Sequence, residues 1–186
     1  MVRFMEVTKL VCLGDSITWG FPFGPSCSWV DISAKTLGLP MINRGVNGDT
    51  AEDLLFRFGR DVLAYKPSHV FIMAGINDAS INIPLESFQD KVLKMHARAL
   101  CYKIVSLWGL PTPTGDHILE HTLNKYRSWL EKFTHANNCR LLDFSSVMLL
   151  PDGTINRECF NDDVHPSKFG YQSMANSFTE FFNPLL

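Results

Sequence analysis

A serine, a histidine, an aspartate and two amide donors stand in this chain at the ends of strand-like runs. Gly14-Asp15-Ser16 closes the first apolar run. Gly48 follows the second, within Asn43-Arg44-Gly45-Val46-Asn47-Gly48-Asp49-Thr50, and Gly75-Ile76-Asn77-Asp78 follows the third. Asp162-Asp163-Val164-His165-Pro166 lies near the C-terminus. Gly-Asp-Ser alone is expected by chance in about one chain in twenty of this length. All four motifs, in this order, read as an acyl-transfer site.

Each residue type has a stated task in that chemistry and a plainer alternative. A serine hydroxyl is a poor nucleophile until a base takes its proton. Ser16 is the candidate nucleophile; the alternative is ordinary turn chemistry. His165 is the candidate base, with Asp162 three residues earlier to hold its ring and stabilise the imidazolium. The alternative is a helix-capping Asp-Asp pair beside a surface histidine. The i to i+3 spacing favours Asp162 over Asp163, which is expected to cap the last helix or face water. Pro166 bars the α conformation for His165 and suits a first helical position, so His165 is expected at the cap. A tetrahedral intermediate needs donors aimed at its oxyanion. The Ser16 and Gly48 backbone N–H groups and the Asn77 amide are the candidates. For Gly48 the alternative is a turn glycine with positive φ, and for Asn77 an Asx turn. Asp15 and Asp78 are expected to tie down the loops that carry their neighbours. Trp19, Phe21, Phe23, Trp108, Pro111, Pro113 and Val164 are expected to line an acyl or alcohol pocket.

The elements that must position these groups are legible as alternating apolar runs and helical patterns. Strands are expected over Lys9–Leu13, Met41–Gly45, Val70–Ala74, Lys103–Leu107 and Arg140–Phe144. Most are continuous rather than alternating, as in strands covered on both faces. Helical spacing predicts helices over Ser28–Leu37, Ala51–Ala64, Pro84–Leu100, Asp116–Ala136 and Pro166–Phe182. Pro84 suits a first turn and Asp116 an N-cap. The pattern implies a parallel sheet between helix layers with right-handed crossovers. In a sheet of order 2-1-3, Ser16 lies between the Gly48 and Asn77 donors. The loops Thr18–Cys27 and Trp108–Gly115 both follow strand C-terminal ends, the side on which open α/β sheets bind ligands.

The 186 residues suit one domain, expected to span 1–186. Hydrophobic residues make up 46 % and charged residues 19 %, a globular composition, and the net charge is -2. That balance argues against a nucleic-acid or anionic-membrane surface. No apolar stretch reaches transmembrane length. Arg3, Glu6 and Lys9 interrupt the N-terminal run, so no signal peptide is expected there. Five cysteines without a CxxC pair suggest reduced thiols in the cytoplasm. Cys12 and Cys101 are expected in the core. His117 and His121 form at most half of a metal site, and no metal or cofactor is expected.

Together the four motifs resemble those of the SGNH (GDSL-type) serine hydrolase family: Gly14-Asp15-Ser16, Gly48, Gly75-x-Asn77-Asp78 and Asp162-x-x-His165-Pro166. The resemblance runs from the first strand to the last helix. It implies a flavodoxin-like three-layer α/β/α sandwich with a five-stranded parallel sheet in the order 2-1-3-4-5. It also implies a Ser-His-Asp triad of Ser16, His165 and Asp162, and an oxyanion hole of Ser16, Gly48 and Asn77, working without a cofactor. Ile17 stands where the family's short name has Leu, and Asp163 where many members carry Gly. The family spans esterases, lysophospholipases, thioesterases and carbohydrate deacetylases. The expected activity is hydrolysis of small carboxylic esters, with those other acyl hydrolases as alternatives. A non-catalytic ligand-binding module is the rival of another class. A dinucleotide enzyme lacks its GxGxxG, and an α/β-hydrolase its Gly-x-Ser-x-Gly elbow.

Overall fold

In the computed structural model, which describes residues 7–185, five short strands form one parallel sheet. They are β1 (Leu10–Gly14), β2 (Met41–Gly45), β3 (His69–Met73), β4 (Val105–Gly109) and β5 (Leu141–Leu142), in the order β2-β1-β3-β4-β5. The helices in chain order are α1 (Ser16–Trp19), α2 (Trp29–Leu37), α3 (Ala51–Asp61) and α4 (Ile76–Ser80). They continue with α5 (Leu85–Cys101), α6 (His117–Ala136), α7 (Ser145–Met148) and α8 (Lys168–Phe182). This is the expected α/β architecture with the expected strand order. The leader-free reading of the N-terminus falls partly on residues 1–6, outside the described residues. No helix among the described residues is long and apolar enough to cross a membrane.

The sheet is covered on both faces, which explains the unbroken apolar runs. Every residue of β1 and β3 is buried. On one face Phe71 of β3 meets Trp29 of α2 at 5.3 Å and Phe178 of α8 at 5.2 Å between ring centroids. On the other face Trp108 of β4 meets Phe133 of α6 edge-on at 5.4 Å, and Phe88 of α5 packs on Tyr126 of α6 at 4.7 Å. Aromatic pairs in these tilted and edge-on arrangements add specific geometry to the burial of apolar area.

Local signals set most helix starts. The Ser28 hydroxyl accepts from Val30 N at 3.1 Å, and one Asp116 carboxylate oxygen accepts from Ile118 N and Leu119 N. Thr50 and Asp53 form a reciprocal capping box at the start of α3.

Several expectations need correction. Pro84 is the extended cap residue before α5, not its first turn. Ser167, not His165, caps α8, and its hydroxyl accepts from Gly170 N at 3.1 Å. Pro166 instead bridges Phe160 across an antiparallel pair, which keeps the His165 segment extended ahead of the helix. β4 starts two residues late, because Lys103 sits at φ 57 in the turn leaving α5. β5 pairs over two residues only. Cys12 is buried as expected, but Cys101 is exposed. It ends α5 off the stripe of Phe88, Val92, Met95 and Ala99 that faces the sheet.

Candidate active site

The C-terminal ends of β1 and β3, the loop after β2, and the segment before α8 converge. β1 ends at Gly14, and the chain turns at once into the four-residue helix α1. A side chain at Gly14 would put its Cβ 2.1 Å from Thr18 Oγ1, and one at Gly45 would put it 2.1 Å from Trp19 N. Both glycines therefore let α1 lie directly on the strand ends. The buried Asp15 carboxylate caps α1 by accepting from Ile17 N at 3.0 Å. These contacts fix Ser16 at the first position of α1 with its side chain at the sheet edge.

Ser16 Oγ lies 3.1 Å from His165 Nε2, across 149 residues of sequence. The other ring nitrogen, Nδ1, is 3.0 Å from Asp162 Oδ2 and 3.2 Å from Oδ1. Asp162 is itself held by the backbone: its Oδ1 accepts from Val164 N at 2.8 Å and from His165 N at 2.7 Å. Partial burial pushes this carboxyl up, but those two N–H groups and the His165 ring outweigh it and keep it below the ordinary range. An ionised Asp162 calls for the Nδ1–H tautomer, which leaves Nε2 to accept from the Ser16 hydroxyl.

Asp163 turns away from this chain of contacts. Its carboxylate pairs with Arg157 at 2.7 Å, and its carbonyl accepts from Thr114 Oγ1 at 2.7 Å and Gly115 N at 2.8 Å. It caps no helix, contrary to one expectation. Instead its backbone clips the His165 segment to the loop after β4.

Asn77 sits half-buried near the start of α4, and its Nδ2 donates to the Asp49 carbonyl at 2.9 Å. The loops after β2 and β3 are thus joined beside Ser16. Gly48 has φ +83 and open space where a side chain would go, and it sits in an exposed turn. Asp78, one residue past Asn77, accepts from Ala51 N through both carboxylate oxygens at 3.1 Å, tying α3 to the same junction. Asp15 and Asp78 do the tethering work expected of them. Burial drives their carboxyls up, to about 7 and about 6, against the N–H bonds from Ile17 and Ala51 respectively.

Of the expected pocket residues, Phe21 comes closest to this chemistry. Its ring centroid is 4.6 Å from that of His165. Val164 is half-buried in the His165 segment, and Trp19 and Phe23 are half-buried around α1, with Lys168 Nζ 5.3 Å over the Phe23 ring. Pro111 and Pro113 are buried; Pro111 would meet a Cβ at Gly75 at 3.1 Å and so lies against the start of the Asn77 motif. Trp108 is a correction. Only 2 % exposed, it donates from Nε1 to Ser106 Oγ and packs on Phe133, so it belongs to the core. A cavity of about 360 Å³ is lined by Pro113, Thr114, His117, Ile155 and Arg157 and by neither Ser16 nor His165.

Arg57 escaped the sequence reading. It is buried on α3 and reaches the ends of both β1 and β2. The available signal was a charged pair, Arg57 and Asp61, four apart on the helix face that also carries Ala51, Leu54 and Phe58.

The chain is similar to known proteins over most of its length. A G-D-S-L family protein from Desulfitobacterium hafniense DCB-2 superposes with a TM-score of 0.89 at 32 % identity, covering 94 % of this chain and 99 % of that one. The acetylxylan esterase of Geobacillus stearothermophilus is 25 % identical over 156 residues, 76 % of this chain and 71 % of that protein. The uncharacterized lipoprotein YqeF of Bacillus subtilis (strain 168) is 42 % identical over 79 residues. That match spans 39 % of this chain and about a third, 32 %, of YqeF. The model of the GDSL-like lipase/acylhydrolase family matches residues 12–173, which include the Ser16 and His165 motifs, and the chain belongs to that family.

Proposed function

We propose that the chain hydrolyses small carboxylic esters, with Ser16 as nucleophile, His165 as general base and Asp162 as the carboxylate that orients it. The observation that carries this reading is the 3.1 Å contact of Ser16 Oγ with His165 Nε2, continued at 3.0 Å to Asp162. As Ser16 attacks the ester carbonyl, His165 takes the hydroxyl proton. The oxyanion is held by the N–H groups of Ser16 and Gly48 and by Asn77 Nδ2, whose second N–H is not engaged by Asp49. His165 then protonates the leaving alcohol, and water, deprotonated by the same ring, releases the acyl group from Ser16. Nothing in this sequence of steps needs a cofactor. Phe21 and Val164 flank the base and form the rim of the substrate site, with Trp19 and Phe23 beyond them. The described chain works as one domain, and its five free thiols favour the reducing cytoplasm over an exported location.

A carbohydrate O-deacetylase using the same residues is the second reading, supported by the similarity to an acetylxylan esterase. A side-by-side assay of p-nitrophenyl acetate, acetyl-CoA and acetylated xylan, with Ser16→Ala as control, tests both. Turnover of the aryl ester, lost in the variant, supports the esterase. A kcat/KM higher on the polysaccharide assigns the deacetylase. Activity that survives Ser16→Ala removes both readings.

A further inference from the structure

We infer that Arg57 is a positioning residue for the oxyanion side of the site, acting through Asp49 on Asn77; this rests on the hydrolase reading above. The Arg57 side chain is only 6 % exposed, and its guanidinium makes four contacts: one within α3 and three outside it, on β1, β2 and the loop after β2. Nη2 donates to the carbonyl of Gly14 at 2.8 Å, the residue that ends β1 two positions before Ser16. Nη1 donates to the carbonyl of Arg44 in β2 at 2.9 Å and to Asp61 Oδ2 at 3.0 Å. Nε donates to Asp49 Oδ2 at 2.5 Å.

Asp49 is the link. Its carboxylate takes the Arg57 bond, while its carbonyl takes the bond from Asn77 Nδ2 at 2.9 Å. It also directly follows Gly48 in the chain. One planar group therefore fixes the strand end that carries the nucleophile, the turn that carries the Gly48 N–H, and the partner that sets the Asn77 amide. Asp61 holds the guanidinium from behind. It is fully buried and bonded also by Arg44 and Arg60. Arg57 touches no reacting atom in this arrangement. Its contribution is to keep two donors at a fixed distance from the serine, the property that makes an oxyanion site effective without reorganisation. A lysine could keep the charge but not the geometry, since its three donors radiate from one atom and cannot span acceptors on three elements.

The test is a double-mutant cycle read in kcat and KM on p-nitrophenyl acetate: parent, Arg57→Lys, Asn77→Ala and the double variant, with thermal unfolding in parallel. Arg57→Lys is expected to lower kcat by about tenfold or more with KM within about twofold, the pattern of a lost transition-state interaction. In the Asn77→Ala background the same substitution should cost at least about threefold less than in the parent, because one of the two donors it positions is gone. An equal loss in both backgrounds, an unchanged kcat, or a loss confined to KM would overturn the inference. If Arg57→Lys fails to fold, Asp49→Asn replaces it in the cycle, and the same outcomes decide. Ser16→Ala is run alongside. Parental activity in that variant would refute the hydrolase reading itself, whereas an inactive Ser16→Ala with an additive cycle refutes only the role of Arg57.

Discussion

The ring of Phe21 lies 4.6 Å from the imidazole of His165, tilted by 57°, and its own carbonyl is gripped by the Tyr171 hydroxyl at 2.8 Å. A residue of the loop after β1 thus braces the histidine that arrives 144 positions later, while α8 braces the loop. The bonds to Asp162 and Ser16 fix the imidazole at its two nitrogens but leave its faces unsupported, and the phenyl ring supplies a wall. Phe21→Ala should lower kcat on p-nitrophenyl acetate by about tenfold, a loss typical of a slightly misplaced catalytic group, and Phe21→Leu should recover much of it. Equal kcat for the parent and the alanine variant would contradict this bracing.

Adjacent aspartates should behave very differently. Asp162→Asn keeps the side-chain shape but invites the wrong histidine tautomer, so kcat should fall by about a thousandfold or more. Asp163→Asn loses one exposed ion pair to Arg157, of the kind worth about 1 kcal/mol or less, and keeps its carbonyl bonds. Its kcat should stay within about twofold of the parent. Steady-state kinetics of the two variants side by side would expose a reversed assignment.

Two glycines of one motif predict opposite failures. At Gly45 an added methyl would collide with the Trp19 backbone at 2.1 Å, so Gly45→Ala should displace α1. The expected cost is about 2 kcal/mol or more, together with most of the activity. At Gly48 there is room, but φ +83 is unfavourable for a side chain, so Gly48→Ala should cost about 1–2 kcal/mol. Urea unfolding of both variants checks the order. A Gly48 variant less stable than the Gly45 variant would show that conformation, not collision, dominates this turn.

Stability should depend on pH through the two buried acids beside the site. Asp15 and Asp78 have carboxyls raised by burial to about 7 and about 6, against an ordinary 3.8. In the folded protein they keep protons that the unfolded chain has already released. Their contribution is therefore fully present below about pH 4 and fades as pH climbs to about 7. Asparagine at both positions keeps acceptors for Ile17 N and Ala51 N but cannot ionise. The double Asp15→Asn, Asp78→Asn variant should lose less stability than the parent between about pH 4.5 and 8, measured by urea unfolding. Parallel curves would show that neither acid retains its proton in the folded state.

The sheet was legible in the sequence because β1 and β3 are buried on both faces and so appear as unbroken apolar runs. The long helices were legible through their spacing and, for α6, through the side-chain cap Asp116. The short helices α1, α4 and α7 were not. Four or five residues carry no period, and α1 exists because Asp15 caps it and two glycines make room beneath it. Trp108 read as a pocket residue because it adjoins a proline-rich loop, whereas strand alternation turns it toward Phe133. Ser16, His165, Asp162 and Asn77 were named from local motifs; a contact across 149 residues joins Ser16 to His165, and one across 28 residues ties Asn77 to Asp49 in the loop after β2. Arg57 was missed because its i, i+4 pairing with Asp61 reads like an ordinary solvated helix pair, whereas its bonds to the Gly14 and Arg44 carbonyls, which show it to be buried at the strand ends, leave no mark in the local sequence.

The most direct measurement is covalent labelling with a fluorophosphonate, followed by mass spectrometry of the digested protein. The nucleophile assignment predicts one adduct, on the peptide carrying Ser16, formed rapidly in the parent and suppressed in folded His165→Ala. A folded parent protein that stays unlabelled, or an adduct on any other residue, would contradict it.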